Sequence, residues 1–373
     1  MQSSVELTQD LVRFNTINPP GNERACAERL ASLLETRGFT VEIIPFGEGR
    51  AQLLARIGGM QGKLPLGFTG HLDTVPLGAQ AWSVDPLSAE IADGKLYGRG
   101  SSDMKSGVAA FVVSCMALAD KLEGTPGVVL VITAGEETGC SGADALADGK
   151  TALPKIGALV VAEPTGNRPL VGHKGALWLE AVTTGVTAHG SMPEKGVNAV
   201  YKAARAVTAL QDFDFNVARH DVLGSPTLNI GTIHGGLNIN SVPDRAAIGI
   251  DIRTIPAADH AKIRAQLTSY LGNDVKLSTL IDAPSIWTAP DDPWIGAVFR
   301  IARETAGFDR EIATAPYFTD ASVLTPAMGS PPTAIIGPGE LTLAHQTDEY
   351  CFVSRIEQAT EIYSRLIRNW CGI

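Results

Sequence analysis

The chain has 373 residues, 45% apolar and 19% charged, with 40 acidic against 30 basic side chains and a formal net charge of −10. That length supplies two domains and a sizeable core, and the acidic balance disfavours nucleic acid and anionic membrane as partners. One local arginine could still hold a small anion. No apolar run reaches the roughly 18 residues that span a bilayer, and the opening MQSSVELTQDLVRF lacks the regions of a signal peptide. The five cysteines are scattered without a CxxC pair. They read as free thiols of a reducing cytoplasm and offer no cysteine zinc site.

Apolar residues at helical spacing predict helices over 5–14 and 25–37, with Gly38 as a C-cap after the second. FTVEIIPF and AQLLARIG then read as strands, and LPLGFTG as a short buried strand. A long apolar helix follows in DMKSGVAAFVVSCMALADKL, and further strands in GVVLVITAG and ALVVAEP. This alternation predicts an α/β fold with a mostly parallel sheet sandwiched by helices. After Lys174 the rhythm changes to strand (ALWLEAVTTG), helix (GVNAVYKAARAVTAL), two strands (PTLNIGTIHGG and DRAAIGIDIRTI), helix (AADHAKIRAQLTSYLG) and strand (DVKLSTLID). That order is the ferredoxin-like one. The expected domains are therefore a catalytic body, 1–174 with 284–373, and an inserted α+β domain, 175–283.

Five places put acidic or histidine residues where an apolar strand ends or a helix begins: GHLDTVP, GRGSSDMKSG, VLVITAGEETG, ALVVAEPTG and IIGPGELTLAHQTDEY. In the first, His71 and Asp73 stand two residues apart and share a face of extended chain, at the strand end where open α/β sheets bind ligands. Each place alone has a plainer reading; Asp103, for example, would serve as a helix N-cap. Together they crowd carboxylates onto one sheet edge, and two histidines balance too little of that charge. Divalent metal supplies it. Histidine and carboxylate without thiolate suit zinc, and also cobalt or manganese. Two ions require one bridging carboxylate, a histidine and a further acid for each, and one acid kept off the metal to move protons.

These five motifs together resemble the zinc metallopeptidase family that contains acetylornithine deacetylase, succinyl-diaminopimelate desuccinylase, aminoacylase and glutamate carboxypeptidase. The resemblance extends over essentially the whole chain and implies a zinc-exopeptidase-like fold. It implies two zinc ions, with His71 and Glu163 on one, Glu137 and His345 on the other, and Asp103 between them. Glu136 would be the general base and Asp73 would orient His71. A cis peptide is implied at Asp103–Met104. His189, in TAHGSMPEKGVNA, would donate to the oxyanion, in cis or across a dimer. Asn240 and Arg253 would bind substrate, the arginine by forking onto an α-carboxylate. A cytoplasmic homodimer paired through the inserted domain completes the expectation. His234 is ambiguous, Lys174 reads as a hinge-side residue, and His220 and His260 read as solvated.

Within the family, GHKGA and FTDAS depart from the desuccinylase pattern, whereas HKG, PTLNIGTIHGG and GPGELTLAHQTDEY look more like acetylornithine deacetylase. The expected activity is hydrolysis of an N-acyl-L-amino acid, with N-acetylornithine first. The alternatives are a desuccinylase or a dipeptidase or carboxypeptidase of the same family. A binding protein without catalysis would be expected to lack Glu136 or a ligand. A dehydrogenase would need GxGxxG after a strand, which GRGSSD matches only in part.

Overall fold

The computed structural model describes residues 2–59 and 62–373. They form two compact units: Met1–Gly172 with Trp287–Thr314 and Thr319–Ile373, and His173–Ile286 with Ala315–Phe318.

The first unit is built on a six-stranded sheet. Its spatial order is Thr40–Gly47, Arg50–Ile57, Val128–Thr133, Leu66–His71, Ala158–Val161 and Thr333–Ile335. The last four run parallel, while the first two form an antiparallel hairpin that adds antiparallel to Val128–Thr133. Every residue of Leu66–His71 and Val128–Thr133 is buried, which is why these strands read as continuous apolar runs rather than alternating ones.

The helix Ser106–Leu118 is buried at every residue but Ala117 and packs against Val353–Cys371 and Ser4–Arg13. With its flanking turns, Ser101–Lys121 is long and apolar enough by length and composition to cross a membrane. That corrects the count made on the sequence. The segment is 89% buried inside the fold, as a core helix is. The continuous helix expected from Asp103 begins at Ser106, because Asp103 sits at φ −119°, ψ 93°, outside the helical region. All five cysteines are free and buried.

Parallel strands send their chain exits to one edge. His71 pairs in register with Thr133, Thr69 with Val161, and Ile335 with Val161. The segments that follow positions 71, 133, 161 and 335 therefore leave side by side. Two glycines let helices close onto this edge. A Cβ on Gly107, in the long helix, would lie 2.2 Å from the Ala162 carbonyl oxygen, and one on Gly142 would lie 1.7 Å from that of Ala134.

The second unit is a four-stranded antiparallel sheet in the order Thr227–Gly235, Arg245–Thr254, Gly175–Thr184, Val275–Ala283. Its helices Ala199–Leu210 and His260–Leu271 are N-capped by Asn198 and Asp259, which accept from the Tyr201 and Lys262 amides. Element order and sheet order are both ferredoxin-like. His260 departs from the solvated reading: it is buried, with Nε2 2.7 Å from Thr254 Oγ1 and Nδ1 2.6 Å from Asp282 Oδ1. Thr254 ends the preceding strand and Asp282 lies on the strand after the helix, so only the packing of helix on sheet brings both onto the ring. His220 is half-buried, and its Nδ1 accepts from the Val222 and Leu223 amides.

The close approach at Gly107 gives a test of the packing. Gly107→Ala is expected to cost about 1–3 kcal/mol through overpacking against backbone. Gly296→Ala, in a helix where an added Cβ meets nothing within 4 Å, is expected to gain up to about 1 kcal/mol of helix propensity. Denaturant titration of both variants reads the two signs; equal effects would rule out the steric account.

Candidate active site

Three neighbouring strand ends and two loops bring the charged residues together. His71 closes the strand Leu66–His71, Glu136 and Glu137 follow Val128–Thr133, and Glu163 follows Ala158–Val161. Asp103 stands in the turn Ser101–Lys105 before the long helix. His345 lies in the loop after Leu341–Leu343, at φ 64°, a left-handed backbone that a histidine rarely adopts and that functional sites often hold. Asp103–Met104 is a cis peptide, as the resemblance implies.

Two groups of ligand-type atoms result: His71, Asp103 and Glu163, and Asp103, Glu137 and His345, each with its atoms within 4.8 Å of one another. Asp103 belongs to both, and its two oxygens divide between them. Oδ1 lies 3.2 Å from His71 Nε2, which is 3.9 Å from Glu163 Oε1. Oδ2 lies 3.4 Å from His345 Nε2, which is 3.1 Å from Glu137 Oε2. His71 Nδ1 lies 2.9 Å from the Asp73 carbonyl oxygen. A carbonyl only accepts, so Nδ1 carries a proton, and Nε2 is the nitrogen left to face the group.

The Asp73 carboxylate itself is engaged elsewhere. Its Oδ1 lies 3.6 Å from His71 Nδ1 and accepts from the Glu136 amide at 3.1 Å. Its Oδ2 accepts from the Glu137 amide and from Asn18 Nδ2, at 3.2 and 2.9 Å. Asp73 thus ties the turn bearing Glu136 and Glu137 to the histidine strand.

The electrostatics favour a bound cation. Burial, with Glu163 and Glu137 nearby, pushes Glu136 well above the usual carboxylate range against the pull of His71. Burial and the Asp103 charge raise Glu163 likewise, and Glu137 is raised by burial and Asp103 despite its bond to His345. The bonds to Asp103 and Glu137 hold His345 up at about 10. For His71, burial works downward, but the Asp103 bond and the surrounding carboxylates leave it well above its ordinary value. Positive charge is what these groups lack, and divalent ions reverse this balance. The donor set of oxygens and imidazole nitrogens fits two such ions.

Several neighbours had no distinctive sequence signal. Asp320 is buried, its Oδ2 accepts from Thr133 Oγ1 at 2.5 Å, and burial raises it to about 6. FTDAS marked its position, but nothing local marked its depth. Cys140 places Sγ 3.9 Å from Glu136 Oε1. Arg99 and Glu349 lie beneath the Asp103 turn, at 2.6 Å from one another.

His189, Asn240 and Arg253 belong to the second unit. There the first two are neighbours: Gly190 N donates to the Asn240 carbonyl at 2.7 Å, and His189 bridges to Ser241. His189 Nδ1 accepts from the Ser191 amide at 3.2 Å, which leaves the proton of the neutral ring on Nε2. Arg253 is paired with Asp251, Nε to Oδ1 at 2.9 Å, and lies over the Trp178 ring. Lys174 Nζ donates to the Ser225 carbonyl at 2.9 Å.

Comparison with known proteins gives a consistent result. An acetylornithine deacetylase from Proteus mirabilis is 32% identical over 98% of this chain and 96% of its own. A probable succinyl-diaminopimelate desuccinylase from Staphylococcus aureus is 30% identical over 97% and 98%. Among solved structures, an M20 family metallo-carboxypeptidase from Sulfolobus solfataricus superposes with a TM-score of 0.79 at 18% identity, over 100% of both chains. A Bacillus subtilis dinuclear metal-binding peptidase of family M20 does so with 0.69 at 15% identity, over 99% of this chain and 98% of its own. The profile of peptidase family M20/M25/M40 matches residues 67–369, so the chain belongs to that family and is a metallo-amidohydrolase.

Proposed function

We propose that this enzyme hydrolyses the amide bond of an N-acyl-L-amino acid, N-acetylornithine first, with two divalent ions at the paired groups. The observation that carries the reading is the division of the Asp103 oxygens between two histidine–carboxylate groups. His71 and Glu163 would hold one ion, Glu137 and His345 the other, and Asp103 would bridge them. Bound there, zinc, or cobalt or manganese in its place, supplies Lewis acidity toward a water and toward an amide carbonyl. Glu136, held by Cys140 and by the Asp73 bond to its own amide, takes the water proton on its carboxylate and returns it to the leaving nitrogen. His189 Nε2–H is the donor assigned to the oxyanion. Arg253, stiffened by Asp251, and Asn240 are assigned to the substrate carboxylate.

The first substrate follows from motif resemblance and from the similarity to the Proteus deacetylase. The similarity to the staphylococcal protein supports succinylated amino acids as the second reading. A cytoplasmic location accords with the five buried free thiols. Pairing of two copies through the second unit is supported by its exposed apolar side chains, among them Tyr201, Ile233, Leu237 and Ile239.

Three outcomes test this reading. Glu136→Gln is expected to lower kcat by about 10²–10⁴-fold while metal analysis still finds two ions; normal turnover would overturn its role as base. Initial rates across N-acetylated, N-succinylated and N-formylated amino acids and dipeptides are expected to be highest for N-acetylornithine. Preference for a succinylated compound would install the second reading, and preference for dipeptides would remove both. Sedimentation is expected to find a dimer that Leu237→Asp with Ile239→Asp converts to monomer; a monomeric wild type would refute the pairing.

A further inference from the structure

Beneath Asp103 lies a carboxylate that contacts no candidate ligand side chain, yet takes up the amides of the turn that presents one. Glu349 is 1% exposed. Its Oε1 accepts from the Ser102 and Asp103 amides at 2.8 and 3.0 Å. Its Oε2 accepts from the Gly100 amide at 3.1 Å and from Arg99 Nη1 at 2.6 Å. Three backbone donors and a guanidinium thus converge on one side chain, an arrangement that makes a buried ion pair tolerable.

The same residues reach the loop of His345. Arg99 Nη1 also donates to the Gln346 carbonyl at 3.2 Å, and Nη2 to the Pro76 carbonyl at 3.1 Å. Gly98 N donates to the Glu349 carbonyl, and Ser102 Oγ to that of Tyr350, both at 2.8 Å. The strands Lys95–Tyr97 and Tyr350–Phe352 pair antiparallel just outside. Asp103 and His345 therefore stand on two loops joined by the Arg99–Glu349 pair, with the 73–76 segment held by the same guanidinium.

We propose that Glu349, with Arg99 behind it, is a positioning residue that sets Asp103 against His345 and so governs affinity at the Asp103–Glu137–His345 group. The proposal rests on the two-ion reading above. Charge alone would affect both groups; a tie between the Asp103 turn and the His345 loop bears chiefly on the group that contains both residues. Glu349→Gln keeps the volume but replaces one acceptor oxygen with an NH₂ that faces backbone N–H donors, so the turn loses its partner on one side.

The test is a Co²⁺ titration of chelator-stripped protein, followed by calorimetry and by the visible Co²⁺ absorption. The unaltered chain is expected to bind two ions. In Glu349→Gln one binding event should stay within a few-fold, while the other weakens by about 10–100-fold, the range for outer-shell partners of metal ligands, with a changed absorption band. A lower melting temperature with both affinities and the spectrum unchanged would mean a merely structural role and overturn the proposal. Fewer than two ions on the unaltered chain would overturn the two-ion reading and this proposal with it. If Glu349→Gln does not fold, Arg99→Lys keeps the charge but cannot span Pro76 and Gln346 together. It should weaken the same event by a smaller factor, and unchanged affinities there would overturn the proposal equally.

Discussion

Like charges held close in a mostly buried place are the constraint on which the rest of this structure depends. Asp73, Asp103, Glu136, Glu137, Glu163 and Asp320 gather around His71 at one sheet edge, and Glu136, Glu137, Glu163 and Asp320 are pushed toward their protonated forms. Such a cluster persists only where other interactions hold it and where cations neutralise it. Two of these carboxylates are fixed from behind: Asp73 by two amides and an asparagine, Asp320 by Thr133. The stability of the parallel core carries the repulsion of the site.

The core does this through register and close approach. Aligned parallel strands place three chain exits side by side, so His71, Glu136–Glu137 and Glu163 converge without long loops. Glycines at 107 and 142 allow helices to touch the carbonyls of Ala162 and Ala134 directly. Loops supply the remaining candidate ligands, Asp103 and His345, and loops alone would be too mobile to hold them. The Arg99–Glu349 pair joins those two segments to one another and to Pro76, while the Asp73 carboxylate holds the Glu136–Glu137 turn. Both groups of ligand-type atoms lie in this first unit. In the reading proposed above, the oxyanion donor and the carboxylate-binding arginine come from the second unit, where His189 and Arg253 each have their own internal support.

Motif reading and structure diverged where depth, not residue type, was at stake. His260 looked like a surface histidine, but strand register brings Asp282 onto it. The apolar stretch around Ser106–Leu118 reads as a long helix, but its length and hydropathy reach those of a membrane span only with its flanking turns, and it lies buried in the first unit. The pairing of Asp73 with His71 was visible as an i, i+2 relation. That the bond runs through the Asp73 carbonyl, with the carboxylate turned to Glu136 and Glu137, was not.

By itself the sequence determined the α/β class, the ferredoxin-like order of the second unit, the family and the residues gathered at the site. Those follow from local periodicity and from motifs whose spacing is short, and both are written along the chain. Tertiary structure decided how Asp103 divides its oxygens, how deep Asp320 and His260 lie, and that Glu349 supports the Asp103 turn from some 246 positions away. Those depend on contacts between segments distant in sequence. Such contacts arise only when parallel strands and close-packed helices bring the segments together, and no local pattern of residue types encodes them.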